Sequence, residues 1–262
     1  MSADFVDLRD VRLEYGNETS SVLAVENLTM ATERGQFAAV VGPSGCGKST
    51  VMKLVTGLLP PTSGSVAVNG AKVTRPIPNV GMAFQNATLM PWRTTLDNVM
   101  LPFEIVDKKG LRADRASYVA RVEKVLASVG LGGFGSKFPW QLSGGMQQRA
   151  NVCRAIIHEP EILMLDEPFG ALDAFTREEL WGVMQNLWLE RKFTAILVTH
   201  DLREAVFLAD VVFVMSKRPG RIIYRRDIDL PRPRTIETCF EPHFVDIVHE
   251  LRARISEEVK SA

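Results

Sequence analysis

The chain has 262 residues, of which 46% are hydrophobic and 24% charged, an ordinary globular composition that excludes disorder as its main state. Lys and Arg (31) balance Asp and Glu (31), and a formal net charge of zero argues against coating nucleic acid as its main task. A chain this long divides into about one to two domains and buries a core without disulfide or metal staples.

Met1 to Asp10 carries Asp4, Asp7 and Asp10 and no apolar run, so no secretory signal is expected. Phe37 to Val41 is an apolar strand that stops at Gly42-Pro43, and a helix-compatible stretch follows from Lys48 to Leu58. Val66 to Val68 and Val80 to Phe84, with Asn69-Gly70 behind the first, read as antiparallel β-structure. Between about Asp97 and Gly135 the strand signal vanishes, and Val119, Val122, Leu126 and Val129 recur at helical spacing. Gly130, Gly132, Gly133 and Gly135 break that pattern, which predicts a small helical insertion at about 97–157 within one α/β core.

Ile162 to Leu165 is a second apolar strand, ending in Asp166-Glu167-Pro168. Arg177 to Arg191 reads as helix, Ala195 to Thr199 as a strand ending at His200, Leu202 to Leu208 as helix and Val211 to Met215 as strand. Continuous apolar strands alternating with helices predict a parallel sheet covered on both faces. The core is expected to occupy residues 1–230, and residues 231–262 a linker (Pro231, Pro233) and an amphipathic helix. That helix, with Phe244, Ile247, Val248, Leu251, Ile255 and Val259 on one face, packs on its own domain or contacts another subunit. No apolar run approaches the roughly 18 to 20 residues of a membrane span. Cys46, Cys153 and Cys239 are odd in number and widely spaced, which fits a reducing compartment and no zinc knuckle. The chain is expected to be soluble and cytosolic, serving a membrane, if at all, from its surface.

Gly42, Pro43, Ser44, Gly45, Cys46, Gly47, Lys48, Ser49 and Thr50 fit G-x-x-x-x-G-K-[ST] between an apolar strand and a helix. Glycines let the chain curl until successive N–H groups point inward, and with the helix N-terminus those donors hold a β-phosphate. Lys48 would neutralise the β- and γ-phosphates, and Ser49 would ligate Mg²⁺ through its hydroxyl. Cys46 lies inside the loop, where a helix N-terminus and a lysine lower a thiol pKa. It is therefore expected to alkylate unless nucleotide covers it, or else to be a small residue the loop tolerates.

Asp166, at a strand end, would hold Mg²⁺ directly or through water, and Glu167 would polarise the water that attacks the γ-phosphate. In Leu142-Ser-Gly-Gly-Met-Gln-Gln-Arg149, Ser143 reads as an N-cap with the amides of Gly144 and Gly145 behind it. That helix end is a second anion-binding surface, or the glycines merely accommodate the backbone.

The loop at 42–50, LSGGMQQR at 142–149, LMLDEP at 163–168, ALD at 171–173 and His200 stand in the order and spacing of the ATP-binding cassette (ABC) ATPases. Gln85 matches that family's Q-loop and Tyr15 its adenine-stacking aromatic, so the chain resembles the family from about Leu8 to Arg221. The resemblance implies a P-loop NTPase core with an N-terminal antiparallel β region and an inserted α-helical subdomain. It also implies a homodimer that sandwiches two MgATP head to tail. Ser143, Gly144 and Gly145 of one copy would then face the γ-phosphate held by the other, with Asp173 at the seam. Glu167 would be the general base, His200 a γ-phosphate contact, Lys48 a phosphate ligand, and Gln85, with Ser49 and Asp166, a Mg²⁺ contact that senses a transport partner.

FPWQLSGGMQQR (138–149), MPWRTTLDNV (90–99), EPFGALDAFTREELW (167–181) and KRPGRI (217–222) resemble importer cassettes of the nitrate/sulfonate/taurine type. This implies two such ATPases on the cytoplasmic face of the inner membrane, two permease subunits and an extracytoplasmic solute-binding protein. Gln85 to Val99, with Leu89, Met90 and Trp92, would receive the permease's coupling helix, or simply pack on the helical insertion. Six arginines from Arg218 to Arg234 read as a solvated hairpin and linker, with lipid headgroups or the permease as the alternative contact and nucleic acid disfavoured. The competing class is a soluble, non-transport ABC ATPase. A P-loop kinase or GTPase is opposed by LSGG, by ALD and by the lack of an Asn-Lys-x-Asp string.

Overall fold

The structure is a computed structural model and describes residues 4–17, 20–170 and 172–260. Strands β1 (Val6–Asn17), β2 (Ser20–Thr32) and β3 (Phe37–Val41) precede helix α1 (Lys48–Val55) and strands β4 (Ser63–Val68), β5 (Ala71–Lys72) and β6 (Val80–Phe84). Helices α2 (Thr95–Val106), α3 (Lys108–Ala113), α4 (Arg115–Ser128) and α5 (Gly144–Ile156) follow. The chain closes with β7 (Ile162–Asp166), α6 (Ala174–Arg191), β8 (Thr194–Thr199), α7 (Leu202–Leu208), β9 (Val211–Met215), β10 (Ile222–Asp227) and α8 (Pro242–Lys260). It divides into two compact units, Met1–Ile77 with Gln185–Ala262, and Pro78–Met184.

In the first unit β3 lies between β8 and β9, parallel to both, and every residue of the three is buried. Burial on both faces is why these strands read as unbroken apolar runs. The registers Val41↔Thr199 and Val41↔Val214 end all three at one edge. β10 pairs antiparallel with β9, and β2, β1, β4 and β5 form a separate antiparallel sheet in that order. Asn69 (φ 52°) and Gly70 (φ 74°) take the left-handed conformations of the tight turn that joins β4 to β5. Helix α1 stops at Val55, short of the expected Leu58, because Gly57 turns left-handed (φ 73°). Phe244, Ile247 and Leu251 of α8 are buried, so the helix packs within its own unit, against α7 and β9.

The arginine cluster departs from a solvated linker. Arg234 is only 3% exposed, and its Nη1 donates to the carbonyls of Val206 (2.8 Å), Phe207 (3.0 Å) and Ala209 (2.7 Å). These are carbonyls that the end of a helix leaves without intrahelical partners. Gln185 clasps the Arg234 backbone from α6, donating to its carbonyl at 2.8 Å and accepting its N–H at 2.9 Å. Arg232 pairs with Asp210 at 2.8 Å and stacks over Trp188, 4.4 Å from the ring centre. These two arginines are internal ties, and neither is available to lipid or to a partner.

In the second unit β6 runs parallel to β7, with Phe84 opposite Asp166. The antiparallel reading of Val80 to Phe84 is therefore incorrect: its partner lies far along the chain, and period-2 patterning carries no strand direction. Val122 and Leu126 are buried along α4 and Val129 is buried at its C-cap, while Val119, from the same pattern, is half-buried. Asn98, buried in α2, accepts from Met90 N–H at 2.7 Å and donates to the carbonyls of Met90, Arg93 and Thr94. Among the described residues no helix is long and apolar enough to cross a membrane.

Candidate functional site

In the first unit the loop Gly42–Thr50 leaves the end of β3, and His200 leaves the end of the adjoining β8. Ligands of open α/β sheets bind beyond such carboxyl ends. Gly47 has φ 108°, and a Cβ there would lie 3.1 Å from Ala24 O and 3.0 Å from Val25 Cγ1, so only glycine lets the loop pass. Lys48 is 7% exposed, and its ammonium donates to Gly42 O (2.9 Å) and Pro43 O (3.0 Å). A buried ammonium held by two main-chain carbonyls keeps a third N–H to offer a phosphate. Ser44, Gly45 and Ser49 are exposed along the rim. The Tyr15 hydroxyl lies 3.2 Å from Thr50 Oγ1, which brings the predicted aromatic to the loop.

Cys46 departs from the expected reactive thiol. It is 1% exposed, and burial raises its pKa above the ordinary thiol value, outweighing the nearby Lys48 charge. His200 is exposed, and the next residue, Asp201, caps α7 by accepting from Arg203 N–H at 2.9 Å and Glu204 N–H at 3.2 Å.

The second unit repeats the arrangement at the paired ends of β6 and β7. The register Phe84↔Asp166 sends Gln85 and Glu167 off the same edge. Glu167 has φ 45°, a left-handed conformation that costs roughly 1–2 kcal/mol for a residue with a Cβ. Gly170 N–H donates to Glu167 O at 3.1 Å and holds that turn. A Cβ on Gly170 would lie 3.4 Å from Gln85 Nε2 and 3.8 Å from Glu167 Oε2, so the amide and the carboxylate converge on one small space.

Ser143 caps α5, accepting from Met146 N–H at 3.3 Å, and Gly144 has nothing within 4 Å of where a Cβ would stand. A Cβ on Gly145, by contrast, would lie 2.5 Å from Thr176 Cγ2, so the second glycine is required by the close approach of α6. Asp173 caps α6 through Thr176 N–H at 3.1 Å, and these bonds hold its carboxyl below the ordinary aspartate range. Ala171 lies outside the described residues. Phe175, in the first turn of α6, is 83% exposed. Trp92 is 72% exposed, on the turn that Asn98 holds, whereas Leu89 and Met90 are half-buried.

Sequence reasoning missed what supports these residues. Along one face of α5, Gln148 and Asn151 donate to Phe84 O (2.8 and 3.2 Å), and Arg154 donates to Ala87 O (2.8 Å) and Thr88 O (3.0 Å). The helix that begins at Ser143 thus grips the segment that carries Gln85. Polar residues at i, i+3 and i+6 on a helix otherwise rich in buried positions were the available signal.

Comparison with known proteins bears on the family of the whole chain. Residues 25–170 match the family described as ABC transporter. The chain is 39% identical over 231 residues to the aliphatic sulfonates import ATP-binding protein SsuB of Bacillus cereus (strain ZK / E33L), covering 88% of each chain. It is 38% identical over 267 residues to the nitrate import ATP-binding protein NrtD of Synechocystis sp. (strain ATCC 27184 / PCC 6803 / Kazusa), covering 98% of each. The dimeric post-hydrolysis structure of the ATP-binding cassette MJ0796, bound to ADP and Pi, superimposes with a TM-score of 0.73 at 28% identity, covering 86% of this chain and 100% of that one. Fold, motif order and relatedness over nearly the whole length converge, and the chain belongs to the ABC transporter family.

Proposed function

We propose that the chain is the ATP-hydrolysing subunit of an importer, peripheral on the cytoplasmic face of the inner membrane. Two copies work beneath two separate permease subunits, and an extracytoplasmic binding protein delivers a small anion such as nitrate, a sulfonate or taurine. The observation that carries the reading is the Lys48 ammonium folded between the carbonyls of Gly42 and Pro43 in a phosphate loop. Similarity to import ATP-binding proteins along most of the chain supports the solute class.

Gly42 to Thr50 bind the β-phosphate through main-chain N–H groups, Lys48 neutralises the β- and γ-phosphates, and Tyr15 stacks on adenine. Ser49, Gln85 and Asp166 offer hydroxyl, amide and carboxylate oxygens, a hard donor set that suits Mg²⁺. That ion, when bound, draws charge from the phosphate oxygens. Glu167 takes a proton from the attacking water, and His200 steadies the γ-phosphate. Ser143, Gly144 and Gly145 of one copy face the nucleotide of the other, with Asp173 at the seam; the paired MJ0796 cassettes support that arrangement. Residues 1–230 form the cassette, with its helical insertion at about 97–157, and residues 231–262 a linker and closing helix.

ATP shifts such a pair toward closure only through contacts the open state lacks. Turnover per molecule should therefore rise with protein concentration, and brisk, dilution-independent turnover by a strict monomer would overturn the reading. The solute class is tested in a strain lacking the gene, grown on nitrate as nitrogen source or on alkanesulfonate or taurine as sulfur source. Unimpaired growth on all three would exclude it.

A further inference from the structure

We propose that Arg218 is a positioning residue for the phosphate loop, holding the Gly45–Cys46 peptide in the orientation that turns the Cys46 N–H into the cradle. The inference rests on the reading of Gly42 to Thr50 as the nucleotide site. Arg218 Nε donates to Gly45 O at 3.2 Å. Across a planar trans peptide the carbonyl and the following N–H point opposite ways. Drawing the Gly45 carbonyl outward to Arg218 therefore sends the Cys46 N–H inward, where it reaches Pro43 O at a long 3.4 Å. A donor so weakly engaged is available to an anion.

The arm that carries Arg218 is registered against the loop independently of its side chain. Arg218 lies in the turn between β9 and β10, where Ser216 Oγ accepts from Arg221 N–H at 2.9 Å and lies 3.0 Å from Pro219 O. Gly220 N–H donates to Ala24 O at 2.9 Å and Glu26 N–H to Gly220 O at 3.1 Å, stitching the turn to β2. Gly220 comes so near the loop that a Cβ there would lie 2.2 Å from Cys46 O. The same stretch of β2 backs Gly47, so turn, strand and loop form one small framework. Without the guanidinium the framework stands, but the Gly45–Cys46 peptide is left to the long Cys46 N–H bond to Pro43 O, and more of its ordering falls to phosphate binding.

The experiment measures the affinity of the full chain for MgADP and MgATP in the wild type and in Arg218→Ala, Arg218→Lys and Lys48→Ala. Arg218→Ala should weaken both nucleotides about threefold to tenfold, the span of one hydrogen bond. KM for ATP should rise with kcat unchanged, the thermal midpoint without nucleotide should hold, and Arg218→Lys should restore part of the affinity. Unchanged affinity for both nucleotides would overturn the inference. So would a loss confined to MgATP, which would make Arg218 a γ-phosphate contact, or a loss that merely tracks a lowered thermal midpoint. If Lys48→Ala binds like the wild type, the reading of the loop as the nucleotide site falls and this inference falls with it. If Lys48→Ala abolishes binding while Arg218→Ala is silent, only the role of Arg218 is lost.

Discussion

Gln148 donates to the carbonyl of Phe84 at 2.8 Å, and the same amide nitrogen reaches the carbonyl of Pro168. Phe84 immediately precedes Gln85 and Pro168 immediately follows Glu167, so one buried side chain fixes the bases of two motif residues. It does so from the helix whose first turn holds Gly144 and Gly145.

Gln148→Leu keeps the bulk and removes the donor. It should lower the unfolding free energy by about 1–3 kcal/mol, the cost of taking the donor from the buried Pro168 carbonyl while Asn151 still serves Phe84 O. Denaturant melts measure that loss, and steady-state ATPase should show kcat falling more than KM rises. Wild-type values in both would show that the carbonyls find other donors.

Glu167→Gln retains the shape of the side chain and loses its basicity. ATP hydrolysis should fall about 10²–10⁴-fold, the usual reach of a general base. Nucleotide binding should survive, and size-exclusion chromatography with ATP should show an accumulated dimer. Turnover at the wild-type rate would remove Glu167 from the proton transfer.

Cys46 should resist alkylation in the native protein. Burial holds its pKa above the ordinary thiol value, so at any pH near neutrality its thiolate fraction is below that of an exposed cysteine, and its reactivity appears only as pH rises past that value. Iodoacetamide labelling followed by peptide mass spectrometry, with and without denaturant, measures this. Rapid native labelling at neutral pH would contradict the buried placement.

Trp92→Ala deletes an indole that is 72% exposed. Stability should stay within about 0.5 kcal/mol of the wild type, the usual range for surface positions. Solute uptake by the assembled transporter should fall while the isolated subunit still hydrolyses ATP. Unchanged uptake would take Trp92 out of the permease interface.

Much of the fold is legible in the sequence because its signals are local. Val211 to Met215 and Leu202 to Leu208 coincide with β9 and α7, where short apolar runs are bounded by turn and cap residues. The pairing of β6 with β7 is not legible, since it joins Val80 to Ile162 with no hairpin between them. Cys46 shows why chemistry inferred from neighbours in sequence fails: Lys48 and the helix start are local, but burial of the thiol depends on the whole packed unit. Arg234 errs the other way, because an arginine among prolines reads as solvated until the carbonyls of α7 are seen to surround it.

The tie made by Arg234 also has a genetic consequence. It closes one end of α7, and the residue that opens the other end, Asp201, adjoins His200. Phe244 and Leu251 fill the space behind. A premature stop codon between those for Leu230 and Leu251 should therefore abolish activity as completely as a missense change in a catalytic codon, although no motif has been touched.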